Sequence, residues 1–187
     1  MSYIYKMIVR LNPFPEITSN HLLLRQLSDE DITELYQLRC NDTVNKYLDR
    51  DVPANIDAIK SFINLINENT KNNECAYWAI SLKSNPELIG TICYWNIDKE
   101  KEIAEIGYEL NPTHHGQGIM QEAIEEVIEY GFGVMKVKVI TAFPDKQNKN
   151  SIKLLERNGF KQDLNFVYAD KNDVEGQFIY FLVNTKD

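Results

Sequence analysis

The stretch from Ala104 to Ala123, AEIGYELNPTHHGQGIMQEA, constrains the fold more than any other part of the chain. An apolar run with strand alternation ends in a proline-containing turn, passes two glycines spaced G-x-G, and opens an acidic helix. Gly116 and Gly118 can take dihedrals closed to other residues and let backbone approach a ligand. The helix opened by Gly118-Ile119-Met120 leaves its first N–H groups without intrahelical partners, at the positive end of the helix dipole, where a phosphate is well placed. Two glycines at this spacing also suit a plain strand-to-helix turn, so the motif takes its meaning from its surroundings.

On one side of that helix lie Met120, Ala123, Ile124, Val127, Ile128 and Phe132, and on the other Gln121, Glu122, Glu125, Glu126 and Glu129, a strongly amphipathic pattern whose acidic face reads as solvated. Gly131 and Gly133 are expected to end it. The β-rich run Lys136–Phe143 then returns after a helical crossover, which predicts a strand parallel to Ile103–Leu110. Upstream, Ala76–Leu82, Leu88–Ile97 and Ile103–Leu110 read as three antiparallel strands joined by turns at Ser84–Glu87 and Asp98–Glu102. His21–Gln26 is the first clear strand. Ser28, with Asp31 three residues on, caps a helix over about residues 29–39, and Asn55 caps a second from Ile56 to about Asn69. Asn148–Asn158 is a further helix stopped by Gly159, and Asp163–Ala169 with Gly176–Val183 reads as a late hairpin through Asp170–Glu175. Residues 1–17, with Pro13 and Pro15, form an expected extended arm with a short strand at Tyr3–Leu11, and 18–187 a single domain. The fold class is mixed α/β (α+β), a twisted and mostly antiparallel sheet of about six or seven strands flanked by about four helices.

With 187 residues, 43% hydrophobic and 26% charged, the chain is long and apolar enough for one core. A net charge of −8 and a pI near 5.0 argue against nucleic acid as a partner, because phosphate backbones need a basic surface, and suit a cationic substrate. No apolar run approaches the roughly 20 residues that cross a bilayer, and the N-terminus lacks a signal peptide's apolar core, so no membrane contact and a cytoplasmic location are expected. Cys40, Cys75 and Cys93 are unpaired in spacing and read as buried thiols in a reducing compartment. His21, His114 and His115 lack metal-ligand spacing, so no metal is expected.

Three segments, TSNHLLLRQLSDED (Thr18–Asp31), Ile103–Ala123 and NKNSIKLLERNGF (Asn148–Phe160), together with the element order β-α-α-β-β-β-α-β-α-β-β, resemble the GCN5-related N-acetyltransferases over about residues 18–184. The first is similar to the opening of the branch that acetylates N-terminal amines of ribosomal proteins. The resemblance implies that the backbone of His115, Gly116, Gln117, Gly118 and Ile119 holds the pyrophosphate of acetyl-coenzyme A. It implies a backbone N–H around Tyr108–Leu110 for the oxyanion, so that Leu110 belongs to the cofactor-binding set. Asn148 would bond the pantetheine arm, and Ser151 would touch the cofactor and give the thiol its proton. Glu105, in AEIGY, stands where some members carry a catalytic glutamate. Glu109 shares its strand face, and alternation does not separate the two.

Two positions depart from the family pattern. Thr113 stands where Gln or Arg is usual, and Leu155 where many relatives have a tyrosine acid. Structural readings stand beside the functional ones: Asn148 as helix N-cap with Ser151 at N3, the paired histidines as packing groups, Trp78, Trp95 and Tyr108 as core or cleft lining. The expected activity is direct transfer of an acetyl group from acetyl-coenzyme A to a primary amine, without metal. A protein N-terminus is the first choice of acceptor, with a small amine (polyamine, aminoglycoside or amino acid) as the alternative, and a non-catalytic coenzyme A sensor as the alternative from another class. A dinucleotide-binding fold fits poorly, since its third glycine would fall at Gln121 and its turn would not follow several antiparallel strands. A homodimer, with residues 1–17 at its contact, stays open.

Overall fold

Alternating side chains make an antiparallel meander the natural product of this sequence, and each face of it acquires its own helices. The computed structural model of the protein describes residues 6–169 and 175–185. Eight strands form one sheet in the order β1-β2-β3-β4-β5-β6-β8-β7. Ile17–Thr18 (β1), Leu22–Gln26 (β2), Ala76–Leu82 (β3), Asn85–Asp98 (β4) and Ile103–Leu110 (β5) pair antiparallel in sequence order. Val139–Ala142 (β6) joins β5 in parallel, as the crossover rule predicts. Tyr180–Val183 (β8) then runs antiparallel between β6 and Lys161–Gln162 (β7).

One face carries Ile32–Arg39 (α1) and Ile56–Lys71 (α3), whose Leu35, Leu38, Ile59, Ile63 and Ile66 pack on Tyr77, Ala79 and Cys93. The opposite face carries Ile119–Tyr130 (α4) and Lys149–Arg157 (α5), with Ala123, Ile124, Val127 and Leu155 against Trp78, Ile92, Tyr94, Ala104 and Ile106. Because both faces are covered, β3 is buried at six consecutive positions instead of alternating. Asp31 is buried at the start of α1, where it accepts the Ser28 N–H at 2.8 Å and both arms of the Arg25 guanidinium at 2.8 and 2.7 Å. That bidentate pair ties the first helix to β2.

Several boundaries differ from expectation for local physical reasons. The sheet has eight strands where six or seven were expected, because two-residue pairings at β1 and β7 leave little sequence pattern. Among the described residues the flanking α-helices number five, the extra one being the single turn Asp42–Asn45 (α2), which is set by the Asn41 cap and not by apolar periodicity. Residues 6–11 form no strand, and the rest of the expected Tyr3–Leu11 strand lies outside the described residues. Instead, Met7 and Leu11 are buried in the core beside α4, the Ile8 N–H donates to the Met135 carbonyl at 2.7 Å, and the Trp78 indole donates to the Pro15 carbonyl at 2.8 Å. The turn after β3 is Lys83–Ser84, tighter than expected, since Leu82 pairs directly with Asn85. Residues 163–169 are not a strand because their N–H groups turn inward: the buried Asp163 carboxylate accepts from Asn165 at 3.2 Å and Tyr168 at 2.9 Å. The tip of that hairpin, 170–174, lies outside the described residues.

The α-helical part of α4 ends at Tyr130 with Gly131 as its C-cap, as expected, but the chain does not leave the helical path there. The chain widens into a π-turn, Gly131–Met135, and stops at Lys136, which has a left-handed φ of 59°. Glycine is needed at 131 because a Cβ there would run into the Tyr94 hydroxyl, which itself donates to the Val127 carbonyl at 2.8 Å. Gly131→Ala should therefore destabilise the fold by about 1–3 kcal/mol through overpacking, measured as a lower urea midpoint with an unchanged slope.

Candidate active site

The site follows from an unequal partnership along β5. On its β4 side the strand is paired from Glu105↔Trp95 through Gly90↔Leu110, whereas on its β6 side pairing ends at Glu105↔Thr141. Beyond Ala142 the β6 chain reaches Phe143 and Pro144, and a proline has no N–H with which to continue a ladder. The two strands part, and a cavity of about 510 Å³ fills the fork. Glu105 and Tyr108 of β5, Asn148 and Ser151 at the start of α5, and the segment Tyr47–Asp51 line it.

The backbone at the fork has a definite polarity. The Asn111 N–H donates to the Ile89 carbonyl at 2.8 Å, and in an antiparallel ladder such bonds alternate. The N–H groups of Gly107 and Glu109 therefore face β4, while those of Tyr108 and Leu110 face the side that β6 has left. An anionic oxygen in the fork could accept from them.

Glu105 and Glu109 point to the same face yet live in different surroundings. The Glu105 carboxylate accepts from the Asn96 amide at 2.7 Å and, among the described residues, has no ion-pair partner; burial raises its pKa, an effect the Asn96 bond partly offsets. At Glu109, Arg50 Nη1 stands 2.7 Å from Oε2 and Arg39 Nε 3.8 Å from Oε1, while the Thr91 hydroxyl donates to Oε1 at 3.2 Å. Gly107 lies between them and leaves room for the Trp95 ring, whose Nε1 would stand 2.9 Å from an added Cβ. Glu109 is thus held between two guanidiniums, whereas Glu105 is a desolvated carboxylate beside a neutral amide, and burial favours its protonated form.

On the other face, the Tyr108 hydroxyl is 2.8 Å from Ser151 Oγ. Burial pushes the Tyr108 phenol up to about 12, against a smaller opposing effect of the Ser151 bond, so it stays protonated at neutral pH. Asn148 occupies the helix N-cap, its Oδ1 accepting the Ser151 N–H at 3.1 Å. The structural reading of Asn148 is thus present in the fold, on a residue that also lines the cavity. Leu155 lines the cavity too, and the tyrosine hydroxyl that meets Ser151 comes from β5, not from α5.

His115, Gly116, Gln117, Gly118 and Ile119 stand beyond the end of β5 and do not line the cavity. Gly116 and Gly118 have φ of 73° and 81° with nothing within 4 Å of an added Cβ, so the backbone conformation, not space, calls for glycine. Gly118 is the N-cap of α4 and supplies no side chain to the helix's first N–H groups, which stay available to an anion. The His115 ring is a packing and bonding group, its Nε2 3.0 Å from the Leu110 carbonyl. Thr113 is held within its own turn, where the Asn111 carboxamide accepts from its N–H at 3.1 Å and its hydroxyl at 2.8 Å. Gln117 donates to the Thr113 carbonyl at 3.0 Å, which braces the glycine turn from within. This uncapped, αL-glycine cradle fits a pyrophosphate. Among the described residues no cluster of His, Cys, Asp and Glu could hold a metal, and no helix is long and apolar enough to cross a membrane.

Glu122, expected on a solvated face, is instead bonded by the Ser19 hydroxyl at 2.6 Å and the His21 N–H at 2.7 Å, which fastens α4 to the edge of β2. Tyr108, expected as core or cleft lining, does line the cavity, but sequence reasoning missed its bond to Ser151 and the arginines Arg39 and Arg50. The alternation of β5 puts Tyr108 opposite Glu105, but nothing local pairs residue 108 with residue 151. The two arginines look like ordinary surface charges at helix and loop ends.

Comparison with known proteins gives the family. A family model for the acetyltransferase (GNAT) domain matches residues 21–161. The uncharacterised N-acetyltransferase YoaA of Bacillus subtilis is 31% identical over 150 residues, covering 80% of this chain and 85% of that protein. The ribosomal-protein-serine acetyltransferase of Escherichia coli is 27% identical over 165 residues, covering 82% and 91%. Among solved structures, the microcin C7 self-immunity acetyltransferase in complex with acetyl-CoA and AMP superposes with a TM-score of 0.73 at 26% identity, covering 89% of this chain and 94% of that one. The chain belongs to the GNAT family. It is an acetyl-coenzyme A-dependent N-acetyltransferase.

Proposed function

We propose that the acceptor is a protein N-terminal α-amine, and that the fork between β5 and β6 is where it meets the acetyl group. The observation that carries the reading is the cavity's two unlike walls: an unpaired, partly desolvated Glu105 on one, a hydrogen-bonded Tyr108–Ser151 pair on the other. Bound acetyl-coenzyme A supplies an activated acetyl thioester. The chain's part begins with the turn His115–Ile119, whose N–H groups bind the pyrophosphate, by roughly 0.3–1 kcal/mol from the helix dipole at an exposed site before individual hydrogen bonds. Asn148 and Ser151 lie along the pantetheine arm, and the Tyr108 and Leu110 N–H groups stabilise the oxyanion.

Glu105 takes a proton from the acceptor amine, directly or through water, as the C–N bond forms. Its lack of an ion-pair partner among the described residues favours it over Glu109 as the base. When the C–S bond breaks, the Ser151 hydroxyl donates to the departing sulfur, with the Tyr108 phenol donating in turn to Ser151 Oγ. A thiol of pKa near 8.5 needs only modest help. Exposed acidic side chains at the mouth, Asp49 and Asp51, suit a cationic acceptor, as does the net charge of −8. The ribosomal-protein-serine relative favours a protein N-terminus over a free small amine.

The direct test is mass spectrometry after incubation with acetyl-coenzyme A and a panel of peptides with free N-termini, polyamines, aminoglycosides and amino acids. Label confined to peptide α-amines is expected. Label on the small amines alone would move the assignment to them, and tight cofactor binding with no transfer to any amine would make the protein a sensor.

Because burial raises the Glu105 pKa, the carboxylate is charged, and able to act as a base, only above that raised value. Wild-type kcat/KM should fall as pH drops through it, with an acid limb above the ordinary carboxylate range. Glu105→Gln should lower kcat/KM by about a hundredfold or more and remove that limb; a variant that keeps it excludes Glu105. Ser151→Ala and Tyr108→Phe should each reduce kcat more than cofactor affinity. If the two hydroxyls act as one chain, the double variant is no worse than the poorer single one, whereas additive losses show independent roles.

A further inference from the structure

The same cavity holds a buried charge cluster that the proposed reaction does not use. Glu109 is 9% exposed and lies with Arg50, Arg39 and Thr91 about 13 Å farther along β5 than Glu105, by strand rise. Buried ion pairs seldom add to stability, because desolvation rivals attraction. This one is also incompletely bonded: Arg39 Nε and Glu109 Oε2 are both buried without an aligned hydrogen bond, the Arg50–Oε2 contact notwithstanding. A cluster so imperfect as a source of stability is placed where it shapes the site.

Residues 46–55, between α2 and α3, have no regular secondary structure, yet five of them in succession, Tyr47–Asp51, form cavity wall. Among the described residues, one ion pair and no hydrogen bond joins that segment to the sheet, and it is Arg50 to Glu109. Arg50 is gripped from behind as well. Asn45 Oδ1, on α2, accepts from Arg50 Nε at 3.0 Å and Nη2 at 2.9 Å, while Asn45 Nδ2 donates to the Arg39 carbonyl at 2.6 Å. Arg39 in turn lies 3.7 Å over the Phe62 ring of α3. The wall is thus fastened at Arg50 between the reacting strand and the helices behind it.

We infer that Glu109, acting through Arg50, is a positioning residue for the acceptor: it pins Tyr47–Asp51 against β5 so that the acceptor's amine is presented to Glu105. The inference rests on the proposed reading of this cavity as the acceptor's site. It gives the second carboxylate of the strand a role different from the first. Glu105 exchanges a proton, and Glu109 holds a wall.

The experiment uses the full chain, with a six-residue peptide bearing a free N-terminal serine and with spermidine as probes. Glu109→Gln, Arg50→Met and the milder Asn45→Ala, which leaves the buried charges in place, are compared with wild type. Expected is a rise in KM for whichever probe wild type acetylates, on the order of ten- to a hundredfold for Glu109→Gln and Arg50→Met. Asn45→Ala should give a smaller rise, kcat should change little, and acetyl-coenzyme A affinity by calorimetry should not change. If Glu109→Gln instead collapses kcat and abolishes the acid limb of the pH profile, Glu109 is the base and the inference fails. Should Asn45→Ala and any folded charge variant leave KM unmoved while wild type transfers normally, the cluster is structural only, and the functional reading survives without it. Wild type that binds acetyl-coenzyme A but acetylates neither probe overturns the functional reading and this one together.

Discussion

One strand keeps one neighbour and loses the other. β5 stays bonded to β4 to its end, which holds its final residues rigid, while β6 departs after Glu105↔Thr141. Hydrogen-bonding groups that a sheet would normally consume are thereby left facing a gap, on a backbone too well anchored to collapse into it. Every other part of the site depends on that separation. The α5 start enters from one face, the Tyr47–Asp51 wall from the other, and the glycine turn continues from the strand's own end.

The separation also explains how two glutamates on one strand face come to differ. Glu105 sits where the fork begins, next to a neutral amide donor, and burial raises its pKa against the smaller opposing effect of that Asn96 bond. Glu109 sits where α1 and the segment after α2 bring in two guanidiniums. Placing the cations at one end leaves the other end with a carboxylate whose charge is costly. The Trp95 ring over Gly107 stands between the two and is possible only because residue 107 has no side chain.

Much of the fold was legible because burial and period agree. Ile103–Leu110 has the expected ends, α3 and α5 lie within a residue or two of expectation, and the parallel β5–β6 pairing follows from the crossover. The failures share a cause. Tyr3–Leu11 was read as a short strand, but strand identity depends on an edge to pair with, and residues 6–11 instead bury Met7 and Leu11 in the core. Glu122 looked solvated because a helical wheel shows only its own helix and not the Ser19–His21 turn that caps it. In the site, Glu105, Asn148 and Ser151 were named from sequence and are brought together in the fork, while Tyr108 was assigned to lining and Arg39 and Arg50 to nothing.

By itself the sequence determined the elements, the glycine turn with its left-handed positions, the uncapped start of α4 and the family to which they belong. Those features are local: they follow from side-chain periodicity, from φ values open to glycine, and from caps within three or four residues. Only the tertiary structure decided which carboxylate faces two guanidiniums and which a neutral amide, that Ser151 is joined to a phenol 43 residues away, and that Asn148 spends its oxygen on the helix cap. Charge state and hydrogen-bond partnership are set by distances across the sheet, to which a one-dimensional pattern has no access.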